Sequence, residues 1–273
     1  MNLTYVLLEK DNRESFESVY PSVIPDEPDR VSIGAASKKG EVLGAVSFVY
    51  VNCQINIDWL YVNPFVRNQG VGRGLVMEII RMIRKTGERY PLAARFPVTE
   101  EDTSLHRFFL AMEEFEVSYS HDRYYVTAED LRKQKRFRKM LEEDQSPVRF
   151  FEEPIETQKL ILALLESEQV YSVGDYEKWK ENCVPELCFS LVMDDTLAGL
   201  IIVQKKGKDL ELDWLYSKYP PALYSILKTT LEETKRLYPE ADVTFEVMND
   251  EARRLAEKSF PEAKRAYIYE AHW

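Results

Sequence analysis

The spacing of apolar residues changes period several times in the first half of the chain. Residues 5–8 form a short apolar run, and residues 13–23 carry Phe16, Val19 and Tyr20 at helical spacing. Two strand-like stretches, 31–36 and 42–51, flank the turn Lys39-Gly40. Residues 54–62, QINIDWLYV, predict a further strand. Strict alternation places Asn56, Asp58, Leu60 and Val62 on one face and Ile55, Ile57, Trp59 and Tyr61 on the other. Apolar side chains occupy both faces, the pattern of a central strand. From Gly74 to Thr86, Leu75, Val76, Ile79, Ile80 and Ile83 form one stripe of a helix that Gly87 stops. A strand over 92–98, a helix over 104–112 and two strands around Ser120-His121-Asp122 complete the half. This succession predicts an α/β (α+β) unit with helices on both faces of its sheet.

The second half repeats the first. Gly44 precedes Asp58-Trp59-Leu60-Tyr61 by the same interval that separates Gly199 from Asp213-Trp214-Leu215-Tyr216, and a proline follows each quartet, Pro64 and Pro220. An internal duplication follows, with units over 1–130 and 148–273 joined by a charged helical linker, 131–147.

Composition narrows the class. The chain has 273 residues, 45% of them hydrophobic and 30% charged, with a net charge of −11. This suits a globular protein with a substantial core and disfavours general binding to a phosphate backbone. The basic stretch 131–140 reads as the solvated face of a linker helix. No apolar run spans a membrane, and the N-terminus lacks a basic leader, so a cytoplasmic protein is expected. Cys53, Cys183 and Cys188 form neither a disulfide framework nor a metal-binding pattern. No resident metal is expected.

The chemistry concentrates in Arg67-Asn68-Gln69-Gly70-Val71-Gly72-Arg73-Gly74, which lies between a strand and a helix. A helix N-terminus offers unpaired N–H groups and a partial positive charge. Glycines at 70, 72 and 74 let an anion approach the backbone, and Arg67 and Arg73 add charge at the mouth. No Gly-Lys-Ser/Thr follows, which excludes a Walker loop, and the third glycine comes one residue early for a dinucleotide fingerprint. With Val62-Asn63-Pro64 before it, this loop resembles the acetyl-CoA signature of the GNAT family of N-acetyltransferases. The order of elements over residues 1–130 is similar to that family as well. The second unit resembles a degenerate copy: Ser217-Lys218-Tyr219-Pro220-Pro221-Ala222-Leu223 stands where the loop should be, while Asn249-Asp250-Glu251-Ala252 resembles a late helix of the family.

The resemblance implies two GNAT-like domains, each with a mixed, mostly antiparallel sheet flanked by helices. Acetyl-CoA would be the cosubstrate. Its pyrophosphate would lie on the N–H groups of residues 69–74, and its pantetheine arm would run along Leu60, Tyr61 and Val62 like an added strand. An N–H near Val62 would polarise the thioester carbonyl. The family's tyrosine acid should fall at Phe109 or Leu110, and neither has a hydroxyl. Asp58 is the candidate catalytic base. Its counterpart Asp213 stands in a unit without the loop, so a structural hydrogen bond across the splay in the sheet explains both copies as well. His106, Tyr124 and Tyr125, and the acidic loop of Asp26, Glu27 and Asp29, are further candidates. The expected acceptor is a primary amine on a small molecule or peptide, with neither nucleic acid nor membrane as partner and a second copy of the chain as a candidate one. A non-catalytic acyl-CoA-binding or sensing protein is the alternative. Aminoacyl transfer from tRNA fits poorly with an intact loop and net acidity.

Overall fold

The computed structural model describes residues 3–22, 24, 28–134, 146–167, 180–193 and 196–273. The segment 135–145, most of the expected linker, and Asp26 and Glu27 of the acidic loop lie outside them. The chain divides into two compact units. The first is Met1–Ser120 with Tyr267–Trp273, and the second is His121–Ala266. The last seven residues thus pack with the first unit, whereas a simple split at 148–273 places them in the second.

The first unit holds β1 (Leu3–Leu7), β2 (Arg30–Ser37), β3 (Val42–Val51), β4 (Gln54–Val62), α1 (Val71–Thr86), β5 (Leu92–Val98) and α2 (Ser104–Leu110). β1 to β4 form an antiparallel meander, β5 joins β4 in parallel, and Tyr267–His272 pair antiparallel with β5. The apolar stripe of α1 packs on one face of this sheet with Ile33, Val46, Ile57, Phe96 and Ala271. Phe16, Val19 and Tyr20 cover the other face, beside Trp59 and Tyr61. The expected helix over 13–23 is only a 3-10 turn, Arg13–Phe16. Its apolar side chains are buried as the spacing predicts. Pro21 disfavours helical geometry at Tyr20, so a helix could not run through that residue in any case.

β4 departs from strict alternation. Ser47 faces Trp59 and Phe48 faces Ile57, so Asp58 is an extra residue in a β-bulge. The bulge reverses the side-chain order beyond it. Ile55 and Ile57 therefore share a face with Leu60 and Val62, and Trp59 and Tyr61 take the opposite one. The second unit repeats the device. On β10 (Asp209–Ser217), Leu212 faces Val203 and Trp214 faces Ile202 of β9 (Thr196–Lys206), leaving Asp213 in the bulge.

The expected pair of strands around Ser120-His121-Asp122 is a single strand, β6 (Glu116–Tyr125). No glycine or proline lies in this stretch to favour a tight turn. The polar residues are satisfied within the strand instead: His121 Nε2 lies 3.1 Å from Glu246, and Arg253 and Arg265 each lie 3.6 Å from Asp122. The boundary between the units falls inside β6, and again inside β12 (Lys264–His272).

The second unit also contains α3 (Ala128–Lys133), β7 (Val148–Arg149), α4 (Ile155–Ser167), β8 (Phe189–Met193), α5 (Pro220–Leu237), β11 (Val243–Val247) and α6 (Asp250–Ser259). β7 to β10 are antiparallel, β11 is parallel to β10, and Asp122–Tyr125 of β6 pair with β11. Both units are therefore mixed, mostly antiparallel sheets with packed helices. Tyr124 is buried in the core of the second unit, and Tyr125 lies beneath Lys264, with the ammonium 5.7 Å from the ring centroid. No helix among the described residues is long and apolar enough to cross a membrane.

Candidate active site

The site in the first unit begins where β4 and β5 part. Their pairing covers Ile55–Ile57 against Leu92–Ala94 and goes no further. β3 follows β4 as far as Val62. Leu60, Tyr61 and Val62 are therefore held on one side and carry no strand on the other. A backbone edge left open in this way can take an extended ligand as an added strand.

The loop after β4 is held by its own side chains. Asn63 Oδ1 accepts from the Phe65 N–H at 3.1 Å, Arg67 Nε donates to the Val62 carbonyl at 3.1 Å, and Gln69 Nε2 reaches the Phe65 carbonyl at 3.4 Å. Asn68 and Gly70 both have left-handed backbones, with φ of 61° and 85°. These turn the chain sharply into α1, which begins at Val71, three residues earlier than the stripe alone predicts. The first intrahelical bond runs from the Gly74 N–H to the Gly70 carbonyl at 2.9 Å. The N–H groups of Val71, Gly72 and Arg73 have no intrahelical acceptor, no side chain caps them, and the first turn carries no acid. This donor set fits an anion.

The three glycines serve three purposes. Gly70 supplies the positive φ, and a Cβ there would meet open space. Gly72 lies within the helix, so its role is spatial rather than one of positive φ. A Cβ would come within 3.1 Å of the Phe108 ring and 3.4 Å of Val62. At Gly74 a Cβ would fall on the Tyr5 hydroxyl of β1. Gly74→Ala is therefore expected to lower stability by roughly 1–3 kcal/mol through overpacking. Adding Tyr5→Phe should restore part of the loss, as read by urea unfolding. Equal stability of Gly74→Ala and the parent would refute this packing role.

Arg73 forms an ion pair with Glu114 at 2.7 Å, which offsets the charge it brings to the mouth. Arg67 lies over the Tyr61 ring at 5.7 Å. Asp58, at the start of the splay, forms an ion pair with Arg30 of β2, which also donates to Ser47 at 3.1 Å. The Arg30 side chain is 10% exposed and that of Asp58 33%, so the aspartate is half-open rather than buried. Asp213 accepts instead from a neutral group, Gln204 Nε2, at 2.7 Å, and loss of water around it pushes its carboxyl above the usual range. The two bulge aspartates differ in partner, and their substitutions should differ too. Asp58→Asn is expected to cost about 1 kcal/mol by weakening a charge-assisted bond, and Asp213→Asn less. Thermal unfolding of both variants decides this. A larger loss for Asp213→Asn would contradict it.

His106 packs against Tyr269 with ring centroids 4.4 Å apart, and Tyr119 meets the same tyrosine at 5.9 Å. Phe109 is buried between Phe96 and Phe115, and Leu110 is 58% exposed. Neither supplies a proton where the family's acid is expected. Sequence reasoning missed Tyr5, Arg30, Phe108 and Tyr269. Their contacts with the site come from strand pairing and helix packing, and no local motif announces them.

Residues 2–112 match the model of the acetyltransferase (GNAT) family. Among solved structures, a tandem GNAT protein from the clavulanic acid biosynthesis pathway is similar over 99% of this chain and 98% of that one, with a TM-score of 0.60 and 15% identity. A GCN5-related N-acetyltransferase from Sphaerobacter thermophilus is similar over 90% of this chain and 82% of that one, with a TM-score of 0.54 and 15% identity. No curated protein matches the sequence. The first unit thus matches the acetyltransferase (GNAT) family model over most of its length, and the chain has the fold of a tandem GNAT protein.

Proposed function

We propose that the first unit binds acetyl-CoA and transfers the acetyl group to a primary amine on a small molecule or peptide. The observation that carries this reading is the start of α1: three uncapped N–H groups, no acid in the first turn, and glycine at 70 and 72. The N–H groups of Val71, Gly72 and Arg73 hold the pyrophosphate, and the open edge of Leu60, Tyr61 and Val62 orients the pantetheine arm. An N–H near Val62 polarises the carbonyl that the amine attacks. The bound thioester supplies an activated acetyl group. Asp58 is the acid on β4 available to take the amine's proton. Its ion pair with Arg30 favours a duty in holding the bulge, and Asp58→Asn is expected to retain turnover. Loss of turnover at unchanged stability would make Asp58 the base. Net acidity and the absence of a spanning helix among the described residues support neither nucleic acid nor membrane as partner. They fit a cytoplasmic protein, and a second copy of the chain is a candidate partner.

A non-catalytic acyl-CoA-binding or sensing role is the second reading. The missing hydroxyl at Phe109 and Leu110 favours it. Release of free thiol from acetyl-CoA, measured over a panel of amines, separates the two. Release above hydrolysis with any amine supports transfer, whereas tight binding without release for the whole panel supports sensing.

A further inference from the structure

The second unit contains a cavity of about 510 Å³, within the range of small-molecule sites. It opens where β10 leaves β11, because their pairing covers only Leu210 and Glu211 against Val243 and Thr244. The cavity is thus the second unit's counterpart of the splay between β4 and β5, with different chemistry. Pro220 and Pro221 stand at the start of α5 and remove N–H donors. The walls carry four carboxylates, Glu211, Asp213, Glu246 and Glu251, and one cation, Lys206. An acyl-CoA, itself strongly anionic, is the wrong ligand for such walls.

The carboxylates are unequally satisfied. Glu246 is held by His121 and by Arg123, with Arg123 Nε at 3.1 Å. The Glu211 side chain is only 6% exposed, and its Oε2 meets Lys206. Asp213 is exposed at the mouth, with one carboxylate oxygen on Gln204 Nε2 at 2.7 Å. Burial pushes the Glu211 carboxyl above its usual range. With four carboxylates to one lysine, the walls carry more negative than positive charge, which favours an incoming cation. Leu215, Phe245 and Leu255 line the cavity as well, so it offers an apolar wall to an alkyl chain. A metal ion is disfavoured, since no three His, Cys, Asp or Glu side chains among the described residues are arranged to hold one.

We propose that this cavity binds a small aliphatic ammonium compound, with the ammonium on Glu211 and Asp213 and the alkyl chain against the apolar wall. The inference is independent of acetyl transfer in the first unit. The test titrates n-pentylamine, with 1-pentanol as its neutral counterpart, into the intact chain by calorimetry. The amine should bind and the alcohol should not. Glu211→Gln and Asp213→Asn should each weaken the amine at least about tenfold, one direct charge-assisted bond being worth that much. Ala252→Phe should block the cavity without altering its charges and should weaken the amine equally, which keeps the test open if one acid variant fails to fold. Acetyl-CoA affinity should be unchanged in all three. The proposal is overturned if the parent ignores the amine, if the alcohol binds as well, or if the folded variants bind the amine as the parent does.

Discussion

Removing Tyr267–Trp273 is expected to unfold much of the first unit. These residues are the far end of the chain, yet Tyr267–His272 pair with Val98–Ala93 of β5. Ala271 is fully buried in the core beneath α1. The Trp273 N–H donates to the Leu92 carbonyl at 2.9 Å, and its ring lies under Arg84 at 5.6 Å. Without them, β5 loses a strand partner and the core loses a wall. The lost hydrogen bonds and buried apolar surface together amount to several kcal/mol, a large share of the roughly 5–15 kcal/mol that stabilises a typical domain. Hydrogen exchange should show β5 and α1 losing protection. A milder variant, Ala271→Asp, buries an unpaired charge and should act in the same direction. If amide protection of β5 survives the deletion, the C-terminal strand is not integral to this unit.

Gly72→Val is expected to weaken acetyl-CoA binding about a hundredfold or more while unfolding stays cooperative. Two effects combine. The new side chain reaches the Phe108 ring and Val62, at about the limit of tolerated contact, and repacking costs roughly 1–3 kcal/mol. It also crowds the mouth of the three uncapped N–H groups. Each charge-assisted bond lost there is worth roughly 1.5–3 kcal/mol, and about 1.4 kcal/mol is tenfold in affinity. The stripe from Leu75 to Ile83 keeps its burial, so α1 should persist. Arg73→Ala should be milder, because Arg73 already shares its charge with Glu114. Calorimetry gives the affinity and thermal unfolding checks the fold. A Gly72→Val protein that unfolds as the parent does and binds as the parent does would leave the loop a mere connection.

Local pattern carried much of this fold. β3 and β4 lie over the residues their alternation predicts, and so does β5. The duplication was legible because Asp58-Trp59-Leu60-Tyr61 and Asp213-Trp214-Leu215-Tyr216 are read directly from the sequence. What the sequence hid depends on partners. The bulge at Asp58 exists only in register with β3, yet it reverses every side chain from Trp59 to Val62. The polar triplet at 120–122 looks like a turn until Glu246 and the two arginines are placed around it. Nothing local assigns Tyr267–Trp273 to the first unit. The glycine loop shows the same limit: the spacing of Gly70, Gly72 and Gly74 announced an anion cradle, but only the contacts of Phe108 and Tyr5 show that two of them also make room for the protein itself.

The cradle in the first unit is the centre of the account, and backbone amide shifts on titration with acetyl-CoA test it most directly. The N–H signals of Val71, Gly72 and Arg73 are expected to move and saturate at one acetyl-CoA per chain, while those of Ala222, Leu223 and Tyr224 at the start of α5 stay in place. Saturation at two per chain, or shifts at α5 with none at α1, would contradict it.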